Sequence, residues 1–138
     1  HMDGFNALLM SHFEDMFANG REIKVMVRVW SNWYDGNLET YFTDSNGEEL
    51  ELLEHIENWF YDNTVQGRFS LSDATENFMR LEQVRIPMME TDSRGRERAV
   101  DARRFVSGLS RHLRDNFQID SKIYMRGLGE AWLIVGEK

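Results

Sequence analysis

Hydrophobic residues recur with two different periods along this chain, and the irregular order of these periods is the strongest constraint on its fold. A spacing of three to four residues, typical of amphipathic helices, predicts helices over 4–18, 47–61 and 99–116. Alternation at every second residue predicts strands over 22–31, 38–43, 122–126 and 130–135. Regular β-α-β alternation is absent. We therefore expect an α+β fold, with a small antiparallel sheet and about three helices packed mainly on one face.

Two short polar sequences set the boundaries around the second predicted strand. Asp35-Gly36 favours a two-residue hairpin turn, because both residues adopt positive φ at low cost. Ser45 and Glu48 have the spacing of a capping box, in which the two side chains accept backbone N–H groups at a helix start. They predict that the second helix begins close to position 47.

The region 64–91 has no single period. Ser72 or Asp73 is a suitable N-cap for a short helix, and the apolar residues after it indicate an irregular strand. Pro87 lacks a backbone N–H and therefore favours an edge strand or a bulge. We interpret the region as a short helix followed by a strand.

The length of 138 residues fits one domain, which we assign to 3–138 because His1-Met2 resembles a cloning remnant. No apolar run is long enough for a transmembrane helix or a signal peptide. The chain has no cysteine, which excludes disulfides, thiolate zinc sites and a cysteine nucleophile. This composition suits a reducing compartment, so we expect a cytoplasmic protein, in the host cytoplasm if a phage encodes it.

The net charge of -8 is unevenly distributed along the chain. Residues 1–79 hold 15 acids and four Lys or Arg, whereas residues 80–138 hold nine acids and 12 Lys or Arg. No Lys or Arg occurs between Arg28 and Arg68, yet nine acids lie there. Two interpretations stay open: a solvated face that aids solubility, or a surface that meets a basic partner or imitates a nucleic-acid backbone.

Aromatic residues are concentrated in the same acidic part of the chain. Eight of the 17 aromatics lie within 30–61. Some of them belong to the core, but those next to the Asp35-Gly36 turn are expected at the surface. Exposed aromatics among acids are typical of binding interfaces, because they bury a large area at little entropic cost. The candidate partner-binding residues are Trp33, Tyr34, Asp35, Glu39, Asp44, Glu48, Glu51, Glu54, Glu57 and Tyr61.

A second candidate surface is rich in arginine. Guanidinium groups bind phosphates in a bidentate manner, so a nucleic-acid contact is an alternative. The competing interpretation is pairing with the interleaved acids Asp92, Glu97, Asp101 and Asp115. The candidate nucleic-acid contacts are Arg94, Arg96, Arg98, Arg104 and Arg111.

The sequence offers no pattern that assigns an enzyme. The histidines show no i, i+4 pair and no His-Glu-x-x-His motif, so we assign no metal ligand. Gly127-Leu128-Gly129 is too short for a phosphate loop and predicts a hairpin turn. No serine lies in a nucleophile elbow. We therefore assign no catalytic residue and no cofactor.

A stretch of about 40 residues resembles a known group of proteins. It runs from Ile23-Lys24-Val25 through the acidic turn to Glu57-Asn58-Trp59-Phe60-Tyr61. In this stretch the chain resembles small phage-encoded anti-CRISPR inhibitors that have a short sheet followed by a helix with a Trp-Phe-Tyr end. The resemblance implies a non-enzymatic inhibitor that occludes a basic nucleic-acid-binding groove on a host defence complex.

Three classes of function follow, in order of preference. The first is an acidic protein-binding module, encoded by a phage or mobile element, that inhibits a nucleic-acid-handling defence complex through a basic surface of that complex. The alternative is a nucleic-acid-binding accessory protein that uses the arginine loop and helix over 94–114. The third is a small enzyme of unidentified class. We expect no membrane partner.

Overall fold

The structure is a computed structural model that describes residues 20–138. The helix predicted over 4–18 lies outside the described residues. Within 20–138 the α-helices are α1 (Leu52–Asn63) and α2 (Ala102–Phe117), and a 3-10 turn covers Val65–Gly67. The strands are β1 (Arg21–Val29), β2 (Tyr41–Thr43), β3 (Glu49–Glu51), β4 (Ser70–Ala74), β5 (Phe78–Ile86), β6 (Met89–Thr91), β7 (Glu97–Ala99), β8 (Ser121–Met125) and β9 (Glu130–Val135).

Five strands form one mixed sheet in the order β4-β5-β1-β9-β8. The central strand β1 is antiparallel to β5 but parallel to β9. The predicted wholly antiparallel sheet is therefore wrong. Residues 20–138 contain two α-helices, and the third predicted helix falls outside them. Two further sheets of two strands each pair β2 with β3 and β6 with β7. The class is α+β, and it is richer in strands than the sequence indicated.

The strands at both ends of the described chain follow the predicted alternation. In β1, the buried Ile23, Val25 and Val27 alternate with the exposed Lys24 and Arg28. The predicted β8 and β9 are also confirmed, and they pair antiparallel across the turn at 126–129. Helices α1 and α2 bury residues in the same core as the inner face of the sheet. The outer face of the sheet is therefore turned away from both helices.

The strand predicted over 38–43 is wrong in its extent and its partner. Only Tyr41–Thr43 is a strand, and it pairs with Glu49–Glu51 instead of β1. The reason is that β5 and β9 occupy both edges of β1. Leu38 is fully buried and fixes the intervening loop, where its N–H donates to the carbonyl of Glu76 at 2.9 Å.

The predicted start of α1 at a Ser45–Glu48 capping box is also wrong. The Asp44 carboxylate accepts the backbone N–H groups of Asn46 and Glu48, which makes this stretch the β2–β3 turn. Helix α1 instead begins at Leu52, without a side-chain cap. The N–H groups of Leu52 and Leu53 donate to loop carbonyls at 2.9 Å, so tertiary contacts satisfy donors that a cap would otherwise serve.

The region 64–91 contains strands where a short helix was predicted. Ser72 and Asp73 lie in β4, so the helix is wrong, whereas the strand that follows it is confirmed as β5. A bulge at Gln83, with φ of 51°, places the buried residues Leu81 and Val84 three positions apart instead of two. That spacing imitates a helical period. Pro87 directly follows the last residue of β5, which is an interior strand.

Helix α2 confirms the helix predicted over 99–116, although it begins at Ala102 instead of 99. Its N-cap is Asp101, whose side chain accepts the N–H of Arg104 at 2.7 Å. Ala99 belongs to β7, in the hairpin that β7 forms with β6. The C-cap is Gln118 in the left-handed conformation, which ends the helix before β8.

Candidate functional site

The outer face of the β2–β3 hairpin carries a tyrosine among acids. Tyr41 lies opposite Glu51, and Thr43 lies opposite Glu49, so these side chains share one face. Tyr41 is 60% exposed. Phe42 points to the other face and packs against Phe117, with ring centroids 5.9 Å apart. The hairpin therefore presents Tyr41 to solvent with carboxylates beside it.

Helix α1 continues this pattern along its solvent side. Glu54, Glu57, Asn58 and Tyr61 follow helical spacing, whereas the buried residues of α1 face the core. Tyr61 is 67% exposed. Two of the predicted acids and the predicted tyrosine of this helix thus lie on one stripe.

Two predicted contact residues in the loop before β2, Trp33 and Tyr34, differ in their exposure to solvent. Tyr34 is 85% exposed, and Asp35 and Glu39 are also exposed. Trp33 is half-buried, and its ring stacks on Phe42 with centroids 6.3 Å apart. A Cβ at Gly136, where φ is +90°, would collide with the Trp33 side chain. Trp33 therefore contributes to packing, and a substitution there would mix stability with binding.

A cleft of about 500 Å³ joins the β2–β3 turn to α1 and α2. It brings together Asp44, Glu48 and Tyr61, three residues that the sequence predicted as partner contacts. We call it the acidic cleft. Its other polar lining residues are Asn46, His55, Asn58, Asp62, Asn63 and His112.

Sequence reasoning missed several of these cleft residues. Asn58 and Asp62 are four and eight residues after Glu54 on α1, so helical spacing could have found them. His55 is buried and donates from Nε2 to the carbonyl of Phe42 at 2.7 Å. His112 reaches the cleft from α2, and no local pattern connects it to α1.

The structure also gives His112 a distinct environment. Burial lowers the pKa of His112, and the nearby His55 adds to that effect, while Asp44, Asp115 and Asp62 oppose it. Asn116 Nδ2 donates to His112 Nδ1 at 3.2 Å, a contact that requires an unprotonated Nδ1. The folded state therefore favours the neutral imidazole.

This environment predicts a pH dependence of stability. Because the folded pKa of His112 is lowered, the unfolded state binds a proton more readily and the folded state loses stability as pH falls. We expect the free energy of unfolding to decrease from about pH 7 downward, since the pKa of an unfolded histidine is about 6.5. Urea unfolding of the wild type and His112→Gln across this range measures it. Identical pH profiles for the two proteins would contradict the expectation.

The acids around the cleft lack internal counter-charges. The ion pairs within residues 20–138 join Glu22 to Arg85, Asp92 to Arg96 and Arg98, Glu90 to Arg104, and Asp115 to Arg114. None of them involves the nine acids between Arg28 and Arg68. The segment 29–67 therefore presents uncompensated negative charge.

The five candidate arginines do not form one surface. Arg96 and Arg98 contact Asp92, with N···O distances of 3.1 and 3.3 Å, and Arg104 pairs with Glu90. Hydrogen bonds from the backbone N–H groups of Arg96 and Arg94 help to lower the pKa of Asp92. Arg104 and Arg111 line a separate groove of about 620 Å³ beside the β6–β7 hairpin. Arg94 is exposed and makes no ion pair with residues 20–138.

Two classes of feature are absent from the part of the chain that the structure describes. No group of three or more His, Asp or Glu side chains in residues 20–138 is arranged to hold a metal ion. No helix in that range is long and apolar enough to cross a membrane.

The comparisons with known proteins give one match. Residues 21–136 match the family model of a domain of unknown function, DUF6175. No curated protein and no solved structure matches the chain.

Proposed function

We propose that this chain, which belongs to the DUF6175 family of domains of unknown function, is a non-enzymatic module that binds a basic surface of a partner protein. The observation that supports it best is the segment 29–67, whose nine acids make no ion pair within residues 20–138. The binding surface consists of the hairpin face, the α1 stripe and the acidic cleft between them.

The chemistry of this surface suits cationic side chains. Asp44, Glu48 and Asp62 line a cleft that is large enough for a lysine or arginine side chain of a partner. Tyr41 and Tyr61 are exposed next to these acids, and a tyrosine supplies contact area with few rotatable bonds. Charge would speed the encounter, while the tyrosines would prolong the complex.

The proposal extends to the role of an inhibitor of a nucleic-acid-handling defence complex. That extension is supported by the resemblance over Ile23 to Tyr61 and by the charge of the surface. A groove that binds a phosphate backbone is basic, and a surface with closely spaced carboxylates competes for it.

A capture experiment with matched variants tests the proposal. The wild type, Glu54→Lys plus Glu57→Lys, and Glu97→Lys plus Asp120→Lys are immobilised and exposed to a lysate of the organism that encodes the chain or of its host. Both variants change the net charge equally, and the control acids are exposed residues outside the segment 29–67. We expect one protein with a basic surface to bind the wild type and the control but not the first variant. Equal capture by all three proteins would contradict the proposal.

A further inference from the structure

The outer face of the five-stranded sheet is basic, in contrast to the acidic surface. Parallel pairing sets Lys24, Met26 and Arg28 of β1 beside Glu130, Trp132 and Ile134 of β9. Antiparallel pairing adds Arg80 beside Met26, and Tyr124 and Lys122 beside Trp132 and Ile134. We call this surface the basic sheet face. Its five cations are Lys24, Arg28, Arg80, Lys122 and Arg126.

Acids lie beside two of these cations, since Lys24 is opposite Glu130 and Arg80 is opposite Asp73 in the strand registers. None of the five makes an ion pair with residues 20–138, and all five are exposed. The acids on the central part of the face are Glu82 and Glu130. A carboxylate oxygen of Glu130 accepts the indole N–H of Trp132 at 2.8 Å, which orients this acid without removing its charge. With Asp73 and with Glu137, which accepts the Tyr124 hydroxyl, the face has four acids against five cations, a small positive balance on a chain of net charge -8.

The same face carries stacked planar groups. The guanidinium carbon of Arg126 lies 4.3 Å from the ring centroid of Trp132, and that of Arg28 lies 5.7 Å from it. On the adjacent strand, Tyr124 is 45% exposed, and its hydroxyl donates to Glu137 at 2.6 Å. Guanidinium and aromatic planes are the groups on which unpaired bases stack.

We propose that the basic sheet face binds single-stranded nucleic acid. The cations lie on β5, β1 and β8 and in the turn after β8, and with the intervening β9 they span a width of about 14 Å at the usual strand spacing. This arrangement offers phosphate contacts around a central Trp132, with Tyr124 available for a base. The face is distinct from the surface assigned to protein binding and from the arginines of 94–111. Repulsion by the segment 29–67 confines a polyanion to this side of the molecule.

Fluorescence anisotropy with labelled oligonucleotides tests the proposal. The probes are oligouridylate and oligothymidylate of about 12 nucleotides, which fits the site sizes of single-strand binders. We expect binding that weakens as NaCl increases. Lys24→Gln plus Lys122→Gln should make the slope of log affinity against log salt shallower by about 1.4, because each lost phosphate contact contributes about 0.7.

Two further variants test two distinctions. One distinguishes stacking from charge, and the other distinguishes the basic sheet face from the candidate arginines of 94–111. Tyr124→Ala should weaken binding by about fivefold or more without changing the salt slope, because it removes a stacking partner and no cation. Arg94→Gln plus Arg111→Gln removes the same charge as the lysine pair and should leave affinity and slope unchanged. Circular dichroism confirms that each variant is folded.

Several results would overturn the proposal. One is the absence of binding to either oligonucleotide at low salt. Another is binding that the arginine pair reduces and the lysine pair does not. Binding to anionic lipid vesicles with the same dependence on Tyr124 would assign the face to a membrane. A mass in light scattering that rises with protein concentration, depends on this face and occurs without oligonucleotide binding would assign the face to a second copy of the chain. The capture experiment on acidic-segment variants does not depend on any of these outcomes.

Discussion

Replacing Phe60 with alanine is expected to lower the free energy of unfolding by about 3–5 kcal/mol, as for other large aromatic residues in cores. Phe60 is fully buried. Its ring centroid lies 5.2 Å from that of Trp59, 5.8 Å from Phe69 and 5.9 Å from Phe105, so it links α1 to α2 and to the chain before β4. The surrounding rings cannot close the whole cavity without losing their own contacts.

Urea unfolding followed by circular dichroism measures this change. Tyr34→Ala is the matched control, because Tyr34 is 85% exposed and its loss should change the unfolding free energy by about 0.5 kcal/mol or less. If Phe60→Ala and Tyr34→Ala unfolded at the same urea concentration, the described core would be incorrect.

The second large effect concerns the kinetics of partner binding. With the captured partner purified, Glu54→Lys plus Glu57→Lys should slow association by about tenfold or more, because charge steering raises on-rates by about 10–1,000-fold. It should also weaken the salt dependence of association. Tyr61→Ala should instead raise the dissociation rate, at a cost of about 2 kcal/mol if Tyr61 lies at the centre of the interface. Biolayer interferometry at several salt concentrations measures both rates.

The Glu97→Lys plus Asp120→Lys control should retain wild-type association and dissociation rates. Association slowed equally by this pair would mean that net charge alone controls the encounter. Dissociation unchanged by Tyr61→Ala would remove the α1 stripe from the interface.

The sequence predicted the elements in which a single period extends over several residues. In β1 and α2 the apolar spacing is regular, because one face of each element packs on the same core. The parallel pairing of β1 with β9 was not predictable, because residues separated by about a hundred positions carry no local signal of direction. The bulge at Gln83 made β5 harder to predict from its hydrophobic period, since one extra residue changes the strand period.

Part of the candidate protein-binding surface was likewise predictable from the sequence, and part was not. The acids and exposed tyrosines of 34–61 were visible as a composition bias, and their solvent stripe on α1 follows from helical spacing. The cleft was not visible, because His112 comes from a helix about 50 residues further along the chain. The basic sheet face was missed because its cations lie on elements that are distant in sequence and become neighbours only through strand pairing.

Hydrogen exchange of the domain, alone and with its captured partner, tests most directly whether the acidic segment is the binding surface. The account predicts slower exchange in the partner-bound state for peptides covering 41–62, which contain the hairpin and α1. Peptides covering β8 and β9 should exchange at the same rate in both states. Protection confined to β8 and β9, or no protection over 41–62, would contradict the proposed function.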